Sequence, residues 1–133
     1  MTVRYADAHY YIALLSREDQ HHAAALRLTA QLEGTIVTTD WILAEVGNAL
    51  CQPRNRLRFI ELVNVLRSNP AVKIVSATRE IFDDGLQLYG NRPDKAWSLV
   101  DCISFLVMER EGIREALTAD LHFEQAGFAA LLK

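Results

Sequence analysis

A chain of 133 residues with half of its residues hydrophobic is long enough to bury a core of its own and is expected to form a single domain over residues 1–133. No run of about 18 apolar residues is present to span a bilayer and the N-terminus lacks a basic stretch leading into an apolar core, so a soluble cytoplasmic protein with no membrane partner is expected. With 14 Lys and Arg against 17 Asp and Glu, a net charge of -3 argues against nucleic-acid binding by general positive charge, leaving local contacts or bound cations.

In chain order, Val3 to Ala6 reads as a short strand with Asp7 at its end, followed by the apolar run Tyr10, Tyr11, Ile12, Leu14 and Leu15. Ser16 with Asp19 resembles an N-terminal cap for a helix through Ala23, Leu26, Leu28 and Leu32, closed by Gly34. Thr35 to Thr38 is the second strand. Ile42, Val46, Ala49 and Leu50 mark the core face of a helix from Asp40 to Gln52 that Pro53 ends, with Glu45 in its first turns.

A further helix near Leu57 to Arg67 has Phe59, Ile60, Val63 and Leu66 as its apolar stripe and stops at Asn69-Pro70. Val72 to Val75 is the third strand. Thr78 to Tyr89 reads as a helix carrying Ile81, Phe82, Leu86 and Tyr89, stopping at Gly90 before a polar loop. Ser98 with Asp101 opens the next helix, whose core face is Leu99, Ile103, Leu106 and Val107 and whose end is Gly112. Ala116 to Thr118 is the fourth strand and runs into Asp120; His122 to Ala126 is a short helical turn, and Phe128 to Leu132 a last edge strand.

Strands alternating with helices imply right-handed crossovers and a mostly parallel central sheet covered on both faces, a three-layer α/β/α arrangement. Ligands of such sheets bind at the carboxyl edge of the strands. Asp7 and Asp120 follow strands directly. Glu45 lies on a helix that leaves the same edge, and Asp101 on the first turn of a helix that runs antiparallel to the strand after it. Four carboxylates from four segments therefore converge. Ionised together they repel one another unless a cation is present, and oxygen-only ligation suits magnesium or manganese. Such an ion promotes phosphodiester hydrolysis and lets an acidic protein accept an anionic substrate. Arg92 and Lys95 are candidates to orient a phosphate backbone, with Trp97 as a face on which a base could stack.

Asp7 after a short strand, Glu45 within Trp41-Ile42-Leu43-Ala44-Glu45-Val46, the segment Trp97-Ser98-Leu99-Val100-Asp101-Cys102, and Thr118-Ala119-Asp120-Leu121-His122-Phe123 together resemble the PIN domain over essentially the whole chain. The last two segments are the most specific. The resemblance implies a PIN-like α/β/α fold, an acidic pocket binding magnesium or manganese, and endoribonuclease activity, with Asp7, Glu45, Asp101 and Asp120 as metal-site acids and Thr118 as a hydroxyl partner. Small members of this type are often VapC-like toxins of toxin and antitoxin pairs, which implies an RNA substrate, a small antitoxin partner and a homodimer. Ala8 and His9 depart from the small hydroxyl or amide residues that many members carry after the first acid, and the role of His9 is left open between the pocket and simple packing.

Structural readings compete with these. Ser98 and Asp101 form a capping box that would by itself justify an acid, but capping explains none of the other edge acids. Glu45 could be a solvated helical acid, although Trp41 and Asn48 at helical spacing suggest enclosure. His21 and His22 are expected to face solvent, His122 is ambiguous beside Asp120, and Asp83-Asp84 and the basic turn of Arg54, Arg56 and Arg58 are read as surface charge. Cys51 and Cys102 are read as small buried hydrophobes. The alternative function is a catalytically silent PIN-like or receiver-like binding module. A receiver would need a lysine near the later strands, and there is none between Lys95 and Lys133.

Overall fold

The computed structural model describes residues 2–132. Five strands, β1 (Val3–Ala6), β2 (Thr35–Thr39), β3 (Val72–Val75), β4 (Glu115–Leu117) and β5 (Ala129–Ala130), form one sheet in the order β3-β2-β1-β4-β5. Every pairing is parallel. Seven helices connect them among the described residues: α1 (Ala8–Leu15), α2 (His22–Gln31), α3 (Asp40–Ala49), α4 (Pro53–Ser68), α5 (Arg79–Asn91), α6 (Leu99–Glu111) and α7 (Leu121–Gln125).

The chain starts in the middle of the sheet and steps outward through β2 to β3, then returns past β1 to β4 and β5. Because parallel crossovers are right-handed, the reversal sends α1 to α4 to one face and α5 to α7 to the other, giving the three layers. The contacts agree: α1 packs on α2 and α3, α3 on α4, α5 on α6, and α6 on α7. The strand order reverses between β1 and β4, which makes their carboxyl ends the switch point where open sheets of this kind place ligands.

Local chemistry explains most boundaries. Thr39 and Thr78 cap α3 and α5 by accepting from the backbone N–H of Ile42 and Ile81 at 3.2 Å each. Ser98 and Asp101 make a reciprocal capping box on α6, and Gly112 ends that helix at φ 71°, in the left-handed region that glycine adopts without strain. α5 and α6 approach closely at Gly85, where an added Cβ would lie 2.4 Å from Ile103 Cγ1. The core is one connected cluster in which Tyr5, Tyr11, Ile42, Ile103, Met108, Leu117 and Phe123 are fully enclosed. No helix of the described residues is long and apolar enough to cross a membrane.

Several expectations change. The apolar run after Asp7 is itself α1, so Ser16 ends a helix instead of starting one, and Asp19 braces a turn by accepting from His21 N at 2.8 Å before α2 begins. α3 stops at Ala49, and Pro53 opens α4, where its missing N–H costs nothing. Gly90 lies inside α5 instead of ending it. Ile60 on the apolar stripe of α4 and Phe82, Leu86 and Tyr89 on α5 are exposed, and Cys51, read as buried, is exposed too, whereas Cys102 is buried. Periodicity marks an apolar face but does not say whether the chain itself covers it. The last strand shortens to Ala129–Ala130. His21 and His22 are half-buried: His22 Nδ1 pairs with the Ala13 carbonyl at 2.8 Å and His21 meets His9. Asp84 is held by Arg110 at 2.6 Å.

Candidate active site

The switch point gathers the acids from both halves of the chain. Asp7 leaves β1 as the residue before α1 and is buried, with its backbone N–H donating to the Leu117 carbonyl of β4 at 3.3 Å. Thr118, fully buried one residue past β4, donates its hydroxyl to Asp7 Oδ2 at 2.7 Å and accepts from the Asp120 backbone N–H at 3.1 Å. One hydroxyl thus ties the first and last acids together. Asp120 is the cap of α7 and accepts from His122 N at 2.9 Å.

Asp101 is fixed from two sides, because its Oδ2 accepts from the Ser98 backbone N–H at 3.1 Å and pairs with His122 Nδ1 at 3.1 Å. His122 Nδ1 also lies 3.5 Å from Asp120 Oδ1. One donor atom each of Asp101, Asp120 and His122 fall within 4.8 Å of one another, a grouping able to hold a metal ion. The capping box and the acidic site therefore share one residue, with the helix N-terminus easing the charge on Asp101.

Glu45 on α3 is half-buried and stands within electrostatic reach of Asp101: burial first and then the Asp101 charge push its carboxyl upward. Asp7 shows the same conflict more strongly. Burial, and then the charges of Asp101 and Asp120, outweigh the Thr118 hydrogen bond and raise its carboxyl from 3.8 to about 7. Two half-buried or buried carboxyls, Asp7 and Glu45, thus face the charge of neighbouring acids, a conflict that a bound cation relieves. The donors at this edge, mostly oxygens with one imidazole at the margin, fit a hard divalent ion.

The ligand-type grouping at this edge includes a residue that the sequence left ambiguous, His122. The available signal was its place two residues after Asp120 on a one-turn helix, which folds the imidazole back toward the same edge. Trp97 is a correction. It is 7% exposed, donates Nε1–H to Gln125 Oε1 at 3.1 Å, meets Phe105 edge-on and lies under the Arg92 guanidinium, so its ring is a core element and offers no open face to a base. Arg92 is also held by Asp94 at 3.0 Å, and Lys95 is half-exposed on the same loop. His9 is half-buried beside His21 on the first turn of α1, and burial followed by the His21 charge lowers the affinity of its ring for a proton.

A parallel α/β/α sheet carrying carboxylates at its switch point is the architecture of a metal-type acidic site at a strand edge. The chain belongs to the PIN domain family, whose model matches residues 4–129. It is 27% identical over 124 residues to the 23S rRNA-specific endonuclease VapC20 of Mycobacterium tuberculosis, covering 93% of this chain and 94% of that protein. The crystal structure of Mycobacterium tuberculosis VapC20, described as a sarcin-ricin loop cleaving toxin, superimposes with a TM-score of 0.89 at 23% identity over 99% of this chain and 100% of that one. VapBC2 from Rickettsia felis, bound to a DNA fragment from its promoter, gives a TM-score of 0.67 at 11% identity over 97% of each chain. FitAcB from Neisseria gonorrhoeae gives 0.69 at 12% identity, covering 99% of this chain and 97% of that one.

Proposed function

We propose that this chain is a divalent-metal-dependent endoribonuclease that hydrolyses RNA phosphodiester bonds, the toxin of a type II toxin and antitoxin pair. The observation that carries the reading is geometric: Asp101, Asp120 and His122 each bring one donor atom within 4.8 Å of the others, and Thr118 ties the buried Asp7 carboxylate to Asp120 beside them, a donor set that suits a divalent cation. Asp7, Glu45, Asp101 and Asp120 would hold magnesium or manganese. A bound ion of this kind supplies Lewis acidity toward a phosphodiester and neutralises the charge that grows on it in the transition state.

The remaining work falls to the chain. Thr118 keeps Asp7 oriented and favours its ionised form; Ser98 and His122 hold the Asp101 carboxylate from two directions. His122 Nδ1 lies 3.1 Å from Asp101 Oδ2 and 3.5 Å from Asp120 Oδ1, so one imidazole braces both carboxylates. Residues 1–133 are read as one domain working in the cytoplasm. RNA is the substrate, and the relatives named above make the large ribosomal RNA the first target to test. A small antitoxin and a second copy of the chain are the protein partners. Leu57, Ile60 and Val65 on α4, with Leu86 and Tyr89 on α5, leave apolar surface for such partners to cover. The test is cleavage of labelled RNA by the pure protein in magnesium, in manganese and in chelator, with 23S ribosomal RNA among the substrates.

A further inference from the structure

His9, Asp19 and His21 form a second group of ligand-type side chains that does not hold the acids in place. His9 Nε2 and His21 Nδ1 are 3.1 Å apart, and Asp19 Oδ1 is 3.8 Å from His21 Nδ1. One donor atom from each residue falls within 4.8 Å of the other two. The two imidazoles meet at 83° between planes and 4.7 Å between centroids, with His9 Nε2 and His21 Nδ1 as the nitrogens in contact.

This is the spacing of donors around one ion. Histidine nitrogen and carboxylate oxygen bind zinc at about 2.0 to 2.2 Å, which sets two ligands of the same ion roughly 3 to 3.5 Å apart. The histidine pair already meets that separation, and Asp19 Oδ1 is a few tenths of an ångström beyond it from His21 Nδ1. The frame is built rather than loose. Asp19 and His21 share a turn braced by the bond from His21 N to Asp19 Oδ1, by Asp19 N donating to the Ser16 carbonyl at 3.2 Å, and by His22 Nδ1 on the Ala13 carbonyl. His9 faces that turn from the first turn of α1, so the three donors come from two elements already packed together.

We propose that His9, Asp19 and His21, which share no residue with the grouping of Asp101, Asp120 and His122, form a second metal site that takes a zinc-class transition ion, with water completing the coordination. Two imidazoles and one carboxylate suit borderline ions such as zinc or cobalt(II), whereas the oxygen-rich cluster suits magnesium or manganese. An ion bound here ties the turn between α1 and α2 to the start of α1, two residues from Asp7. The inference does not depend on the nuclease reading, because its readout is metal binding alone.

The test uses the full chain carrying Asp101→Asn and His122→Gln, which removes donors of the other cluster. Cobalt(II), followed by visible absorption, is expected to saturate at one equivalent and to resist displacement by a large excess of magnesium. Adding His21→Gln is expected to abolish that band. Asp19→Asn, which keeps an oxygen for the His21 N–H, is expected to weaken binding about tenfold or more. Zinc is also expected to raise the thermal midpoint of the double variant, and His21→Gln to remove the rise. A band or midpoint shift unchanged by His21→Gln, or cobalt displaced by magnesium, overturns the proposal.

Discussion

Thr118 and Asp7, 111 positions apart in the chain, are joined by a 2.7 Å hydrogen bond in which the threonine hydroxyl donates to the carboxylate. The bond spans β1 and β4 at the place where the strand order reverses, and it opposes the burial that drives Asp7 toward its neutral form. Replacing Thr118 with Val keeps the shape but removes the donor, and it strands the Asp120 N–H that the hydroxyl accepts. The Asp7 carboxyl is expected to rise further, and magnesium affinity to fall by about tenfold or more, as for other groups that orient metal ligands. Isothermal titration checks this, with Thr118→Ser expected to restore binding.

The pH dependence of stability follows from the same carboxyl. Asp7 titrates at 3.8 in the unfolded chain and at about 7 in the folded one, so between those values the folded state holds a proton that the unfolded state has released. In chelator, the Asp7 contribution therefore lowers stability as pH rises from about 4 to about 7 and is level above that, a total of up to roughly 4 kcal/mol. Urea unfolding across this range checks the slope. Asp7→Asn is expected to flatten it and to leave the metal-free protein more stable than the parent above pH 7.

Asp101 belongs both to the capping box of α6 and to the proposed metal site, and two substitutions separate the roles. Asp101→Asn keeps an oxygen for the Ser98 N–H, so the thermal midpoint is expected to change little while metal-dependent cleavage falls by about a hundredfold or more. Ser98→Ala leaves the acid in place but deletes the acceptor for the Asp101 N–H, at a cost of about 1 kcal/mol in unfolding experiments.

Gly85 tests the packing behind the site. A Cβ there would overlap the Ile103 side chain on α6, the helix whose first turn carries Asp101. Gly85→Ala is expected to destabilise the protein by about 1 to 3 kcal/mol, read by denaturant unfolding, despite the better helix propensity of alanine.

The strand and helix order was legible because Val3 to Ala6, Thr35 to Thr38 and Val72 to Val75 are short β-prone stretches between helical patterns, and because Ser98 with Asp101 announces the helix that follows; the caps at Thr39 and Thr78 emerge only in the structure. The convergence of Asp7, Asp101 and Asp120 could be reasoned from topology, since each is tied to a strand end or a helix start. Side-chain direction was not. Nothing in the spacing of Trp97 says that its ring turns inward onto Phe105, or that His9 meets His21 across a turn. The Ser16-Asp19 turn misled because the same residue pattern caps a helix or braces a loop, and only the length of the preceding apolar run decides which.

Whether the edge acids act through a shared divalent ion is decided by single-turnover cleavage of labelled RNA with the parent protein, Asp7→Asn and Asp101→Asn. Cleavage in magnesium or manganese that stops in chelator, returns when the ion is restored, and is lost in both folded variants is the predicted result. Cleavage that persists in chelator, or survives in both variants, contradicts the account.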